Sequence, residues 1–170
     1  GRIEYFNGRP KQAGAVLIEA SELLEDIDRE LAVEICTESC SARLGLADAE
    51  GMLASAERAE ALAVGLSNGH LRDLVTLTRG WVLCYVGRSD EGVPLLCQAV
   101  EAAEGAELDP LGLMRVSGAL EWLDRSRDAY RYTLHDVGRA REDGAVGLLP
   151  YLLYQQAWHA CRAGLLSEGF

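Results

Sequence analysis

Lysine is nearly absent from this sequence. Lys11 is the only one among sixteen basic residues, and the rest are arginines. A Walker A cradle needs a glycine-rich loop followed by Lys-Ser/Thr to hold phosphates, and the chain has no such run. Histidines number three, and His70, His135 and His159 stand far apart, so there is no H-E-x-x-H zinc pair. A complete calcium loop, with glycine at its sixth position and glutamate at its twelfth, is missing as well. Paired acids such as Glu22 with Glu25, or Glu101 with Glu104, have helical surface spacing and read as solvated faces. The expectation is a non-catalytic chain with no cofactor and no metal.

Other shortages narrow the class further. Aromatics make up only 6% of the chain, and no apolar run approaches the roughly 18 to 20 residues that a membrane span requires. The opening GRIEYFNGRP has no apolar h-region, and five cysteines are an odd number, which points to a reducing cytoplasm. Cys36 and Cys40 lie one helical turn apart, but no second Cys/His pair completes a metal set. The thiols are therefore expected to pack as small apolar residues. The formal charge is −11. Nucleic-acid binding rests on neutralising phosphates, so direct contact with DNA or RNA is not expected.

What is present is helical periodicity. The 49% hydrophobic and 25% charged content suits a folded domain. Leu74, Leu77, Trp81, Cys84 and Tyr85 recur at steps of three and four, and Val93, Leu96, Val100 and Ala103 do the same after Gly87-Arg88-Ser89-Asp90. Gly87 suits a left-handed helix stop, Ser89 or Asp90 a cap, and Pro94 a first turn. The stretch Trp81–Ala103 thus spans a helical hairpin. Further helices are expected over 10–24, 28–44, 48–64, 110–125, 127–142 and 149–164, with the tail of another before Gly8. A turn is expected at Ser67-Asn68-Gly69.

The breaks fall near Gly8, Gly45, Gly87, Arg125 and Gly164, at spacings of 37, 42, 38 and 39 residues. Trp81-x-x-Cys84-x-x-Gly87 returns as Trp158-x-x-Cys161-x-x-Gly164 and, more weakly, as Ser39-x-x-Ala42-x-x-Gly45. Two helices per period of about 40 residues predict an all-α fold. The expected architecture is a tetratricopeptide-like α-solenoid of about four hairpins forming a single domain over 1–170. Its exposed end faces lead to an expectation of self-association.

The aromatic residues admit two readings. Trp81, Trp122 and Trp158 with Tyr85, Tyr151 and Tyr154 line a groove for a small ligand or peptide, or the tryptophans fill the seam inside each hairpin. Recurrence of Trp81 and Trp158 in one column favours the seam. Tyr154 and Arg115 share a different column, ten residues before a break. The candidate groove contacts are accordingly Arg115, Tyr151, Tyr154, His159 and Arg162, with aromatic faces backed by polar groups.

The phrase from Gly80 to Ala103 resembles the tetratricopeptide pattern. The phrase Ala140-Arg141 through Gly144 to Tyr151 is similar to one found in large LuxR-type transcriptional regulators of the maltose-activator kind. In that group a helical-repeat middle joins a nucleotide-binding domain to a C-terminal helix-turn-helix domain. The resemblance implies an excised middle segment of a longer regulator that senses a protein or small-molecule inducer and couples it to transcription. Nucleotide and DNA sites would lie outside it. An adaptor domain that binds a peptide or protein in another cytoplasmic assembly is the alternative. The chain departs from the pattern at Arg125, where glycine is missing, and at Gly92, which replaces the usual alanine.

Overall fold

A computed structural model describes residues 8–104 and 110–165, and every regular element among them is an α-helix. The elements are α1 (Pro10–Leu24), α2 (Arg29–Leu44), α3 (Ala49–Ala63), α4 (Gly69–Tyr85), α5 (Ser89–Ala103), α6 (Pro110–Trp122), α7 (Ser126–Glu142) and α8 (Leu149–Arg162). The segment before Gly8, Gly105 and the Asp109 cap expected from the sequence lie outside the described residues. No described helix is long and apolar enough to cross a membrane. The chain divides into two compact units, Gly1–Leu95 and Leu96–Phe170.

In the first unit, helix starts follow from capping chemistry. A helix opens with amides that have no internal carbonyl partner, and a short side-chain oxygen can accept from one of them. Asp28 accepts from the Leu31 amide at 3.1 Å, Asp48 from Gly51 at 3.0 Å, and Asn68 from Leu71 at 3.4 Å. Asn68 therefore caps α4, and the turn expected at Ser67-Asn68-Gly69 begins earlier, at the left-handed Gly65. Ser89 and Asp90 do not cap α5. They lie inside its first turn, and the Arg88 carbonyl takes the Glu91 and Gly92 amides. Pro94 consequently sits one turn deeper than expected, inside the helix.

Five of the described helix ends share one device. At Ala47, Gly87, Asp124, Gly144 and Gly164 the backbone turns left-handed, with φ of 54°, 84°, 56°, 68° and 77°. Each carries the paired bonds of a Schellman stop. At Gly87, for example, its own amide donates to Cys84 O and the next amide, Arg88, to Leu83 O at 2.8 Å. The stops at 47 and 124 replace two positions expected from the sequence. Gly45 is ordinary right-handed backbone, and Arg125 merely precedes α7. Gly8 is left-handed too. With the intervening Gly65 and Gly144 set aside, Gly8, Ala47, Gly87, Asp124 and Gly164 are spaced by 39, 40, 37 and 40 residues.

An L-residue in this conformation brings Cβ against the following carbonyl at a cost of roughly 1–2 kcal/mol. Ala47→Gly is therefore expected to stabilise the chain by about 0.5–1 kcal/mol, net of the extra freedom of glycine in the unfolded state. Gly87→Ala, with open space around its Cβ position, is expected to cost about 1 kcal/mol through the same term. Urea melts of both variants check the pair of opposite signs.

Packing in the first unit joins α1 to α2, α2 to α3, α3 to α4, and α2 to α4 across the intervening helix. Val33, Cys36, Ala59, Leu62 and Val75 form one cluster among α2, α3 and α4. Cys40, Met52, Ala56 and Val82 form the next, with Trp81 and Tyr85 packed alongside. Ala13, Leu17 and Ala42 seat α1 on α2. Each fully buried Val, Leu or Met contributes about 1.5–3 kcal/mol, and the alanines between them let the helices approach. In the second unit α7 packs on both α6 and α8, with Val137, Ala140 and Leu152 at its centre.

Candidate functional site

The five candidate residues all fall in the second unit, and helix geometry decides which of them meet. His159 and Arg162 are three residues apart on α8, hence on one side of it. His159 is only 2% exposed. It fills the position five residues before a left-handed stop, where Ala47, Gly87 and Asp124 have the buried Ala42, Val82 and Ala119 and Gly144 has the half-buried Arg139. A buried polar ring needs a partner. The partner is Glu121 near the end of α6, whose Oε1 lies 2.9 Å from His159 Nδ1. The second carboxylate oxygen, Oε2, lies 3.4 Å from Arg162 Nε, and Arg162 Nη2 reaches Asp124 at 3.7 Å. One carboxylate is thus shared by a buried imidazole and a half-exposed guanidinium.

Glu121 was not among the sequence candidates, although a signal for it existed. It precedes His159 by 38 residues, close to one period of the chain. The same separation recurs in the first unit, where Asn68 Nδ2 donates to Glu30 Oε2 at 2.9 Å. Contacts one period apart join like-placed helices, α6 with α8 and α2 with α4.

The other candidates are spread along the helices. Tyr154 is 65% exposed, on the outer side of α8. Tyr151 is half-buried, and its hydroxyl accepts from Gln155 Nε2 at 3.4 Å. Arg115 is half-buried on α6, six residues before Glu121. The structure therefore brings together His159 and Arg162 through Glu121.

The tryptophans also part company. Trp81 packs against its core cluster as the seam reading requires, whereas Trp122 is 44% and Trp158 50% exposed. The shared column of Trp81 and Trp158 does not give them a shared environment, so the seam reading fails for Trp158. The column pairing Tyr154 with Arg115 dissolves as well, since the left-handed stop after α6 is Asp124 and not Arg125. What α8 presents instead is Tyr154, Trp158 and Arg162 at successive steps of four, a continuous exposed line along one helix. Beside its lower end is an open polar recess of about 310 Å³, bounded by Arg162 and the α6–α7 turn around Asp124, Arg125 and Asp128.

The cysteines do not all behave alike. Cys36, Cys40 and Cys84 are buried and pack as apolar residues, while Cys97 and Cys161 are exposed. The Cys40 thiol contacts Cys36 O and Met52 O, both at 3.5 Å. Burial, with the neighbouring Cys36 thiol adding, pushes its pKa up to about 12. A thiol so held is neither a nucleophile nor a ready metal ligand. Among the described residues no three His, Cys, Asp or Glu side chains converge.

No family model matches the chain, and no curated protein or solved structure shows significant similarity to it.

Proposed function

We propose that the chain is a non-catalytic recognition region of stacked helical hairpins, receiving a protein or small-molecule partner on the exposed face of α8. The observation that carries this reading is the line of Tyr154, Trp158 and Arg162. Trp, Tyr and Arg are the side chains that dominate binding energy at protein interfaces, because each combines large apolar area with a directed polar group. A half-exposed tryptophan flanked by an exposed tyrosine and an ion-paired arginine is a costly surface to leave in water. The recurrence of left-handed stops at nearly 40-residue intervals, and of cross-helix bonds at 38, supports a tetratricopeptide-like α-solenoid. Within that architecture the role that fits best is the sensing and coupling region of a LuxR-type regulator in the cytoplasm.

Two measurements test it. At physiological salt the 170-residue chain is expected to bind neither operator DNA nor ATP, and specific operator binding by this chain alone would overturn the reading. A thermal-shift screen with small metabolites and amphipathic peptides is expected to yield a stabilising compound whose affinity falls about 30-fold in Trp158→Ala, the effect of losing a hot-spot side chain. A Walker motif and a helix-turn-helix encoded on either side of the segment decide for the regulator. Their replacement by unrelated domains decides for an adaptor.

A further inference from the structure

The first unit contains a partly open cavity of about 290 Å³ where α1, α2 and α3 meet. Its wall includes Ile18 and Ser21 from α1, Cys36 and Arg43 from α2, and Ser55 and Arg58 from α3. Two guanidinium groups bordering a largely apolar space are unusual, and their hydrogen bonds are incomplete. Arg43 pairs through Nη1 with Asp48. Arg58 pairs through Nη2 with Glu25 at 2.6 Å and through Nη1 with Glu22 at 3.7 Å. In both residues the Nε–H is buried and has no acceptor by hydrogen-bond geometry among the described residues, and Arg58 has only the weakly accepting Cys36 thiol beside it. An unsatisfied buried donor costs about 1–3 kcal/mol, and here two of them belong to residues of one cavity wall.

The remaining wall chemistry narrows what could satisfy them. Ser21 donates to Ile18 O at 2.8 Å, so its hydroxyl is already committed as a donor. Burial raises the Cys36 thiol above its ordinary value, with Ser21 and Arg58 beside it opposing that shift. A neutral thiol offers little to a cation. Charge is also accounted for: three carboxylates, Asp48, Glu22 and Glu25, face the two arginines, leaving the neighbourhood negative by one. An anion gains no net attraction from such a set.

We infer that this cavity is a binding site for a small uncharged molecule with an apolar body and a carbonyl-type acceptor oxygen. The acceptor takes the Arg43 and Arg58 Nε–H donors, and the apolar body covers Ile18. The site belongs to the other unit from the α8 line, so it stands or falls independently of the function proposed above.

The test is an NMR titration of the ¹⁵N-labelled 170-residue chain, following the arginine Nε–H signals. Those of Arg43 and Arg58 are identified by their loss in Arg43→Lys and Arg58→Lys. Three probes of matched size are used: cyclopentanone, cyclopentanecarboxylate and cyclopentane. Cyclopentanone is expected to shift both signals saturably, with a Kd on the order of 1 mM for so small a probe. The carboxylate is expected to bind at least about fivefold more weakly because of the surrounding acids, and cyclopentane to leave the signals in place. Arg58→Lys keeps the charge but removes the donor, and is expected to weaken cyclopentanone about tenfold. Ser55→Leu fills the space and is expected to abolish binding, with circular dichroism confirming the fold. A carboxylate that binds more tightly than the ketone overturns the uncharged ligand class. The absence of any saturable shift in the wild-type chain, or unchanged binding in a folded Ser55→Leu variant, overturns the site.

Discussion

Gly92→Ala is expected to destabilise the chain by about 2–3 kcal/mol, the usual cost of forcing extra volume into a closed contact. A Cβ at this position of α5 would lie 2.5 Å from the Gly80 carbonyl oxygen, 2.7 Å from Cys84 Sγ and 2.9 Å from the Cys84 amide nitrogen. Two of these three are backbone atoms of α4, which cannot swing aside as a side-chain tip would. The helices must separate, and the packing around Leu83 and Cys84 loosens with them. The tetratricopeptide pattern that this phrase resembles has alanine here, so reasoning from that pattern would recommend the very substitution that the geometry forbids. Equilibrium urea unfolding decides the matter: a Gly92→Ala midpoint equal to that of the parent would show that α4 and α5 part without cost.

The second large effect concerns alkaline stability. The Cys40 thiol is fully buried, and its pKa rises from 9.0 to about 12 on folding. Between those values the unfolded chain has released this proton while the folded chain retains it. The stabilisation is therefore fully present below pH 9 and is lost as pH rises toward 12, at about 1.4 kcal/mol per pH unit. From pH 9 to pH 11 the parent chain is expected to lose about 2–3 kcal/mol more than Cys40→Ala, in which this titration is absent. The comparison of slopes matters here, not the stabilities themselves, because the alanine variant also loses packing against Met52 and Val82. Parallel pH profiles for the two proteins would refute the assignment of the slope to Cys40.

How much of this was legible in the sequence depends on which physical term sets each feature. Helices α1 to α8 could be located because their apolar residues repeat with the helical period, and caps such as Asp48 have a chemical signature. The stops at Ala47 and Asp124 were missed because any L-residue can be driven left-handed when the Schellman bonds and the packing on either side outweigh roughly 1–2 kcal/mol of local strain. Glycine marks the stops at Gly87 and Gly164, whereas Gly45 and Arg125 lie two residues and one residue from the stops at Ala47 and Asp124. That slip of one or two residues moved the column assignments, which is how Arg115 came to be paired with Tyr154.

The candidate site was half legible for a related reason. His159 and Arg162 were found from their own chemistry, but Glu121 looked like one more surface acid. Only the three-dimensional placement of α6 and α8 shows that its carboxylate is mostly covered and doubly engaged. The arginine-lined cavity of the first unit left no trace at all in the periodicity. Arg43 stands in a column otherwise occupied by Leu83, Leu120 and Ala160, and a single charged residue there reads as a solvated position until its burial is known.

The pattern of helix contacts also bears on how the protein is made. The main contacts in each unit link a helix to its immediate neighbour, or to the next but one in the case of α2 and α4. Every such partner is synthesised within a few dozen residues, so little loop-closure entropy is spent before the contact forms. A chain emerging from the ribosome can complete each hairpin soon after its second helix clears the exit tunnel, with few apolar faces left waiting for distant sequence.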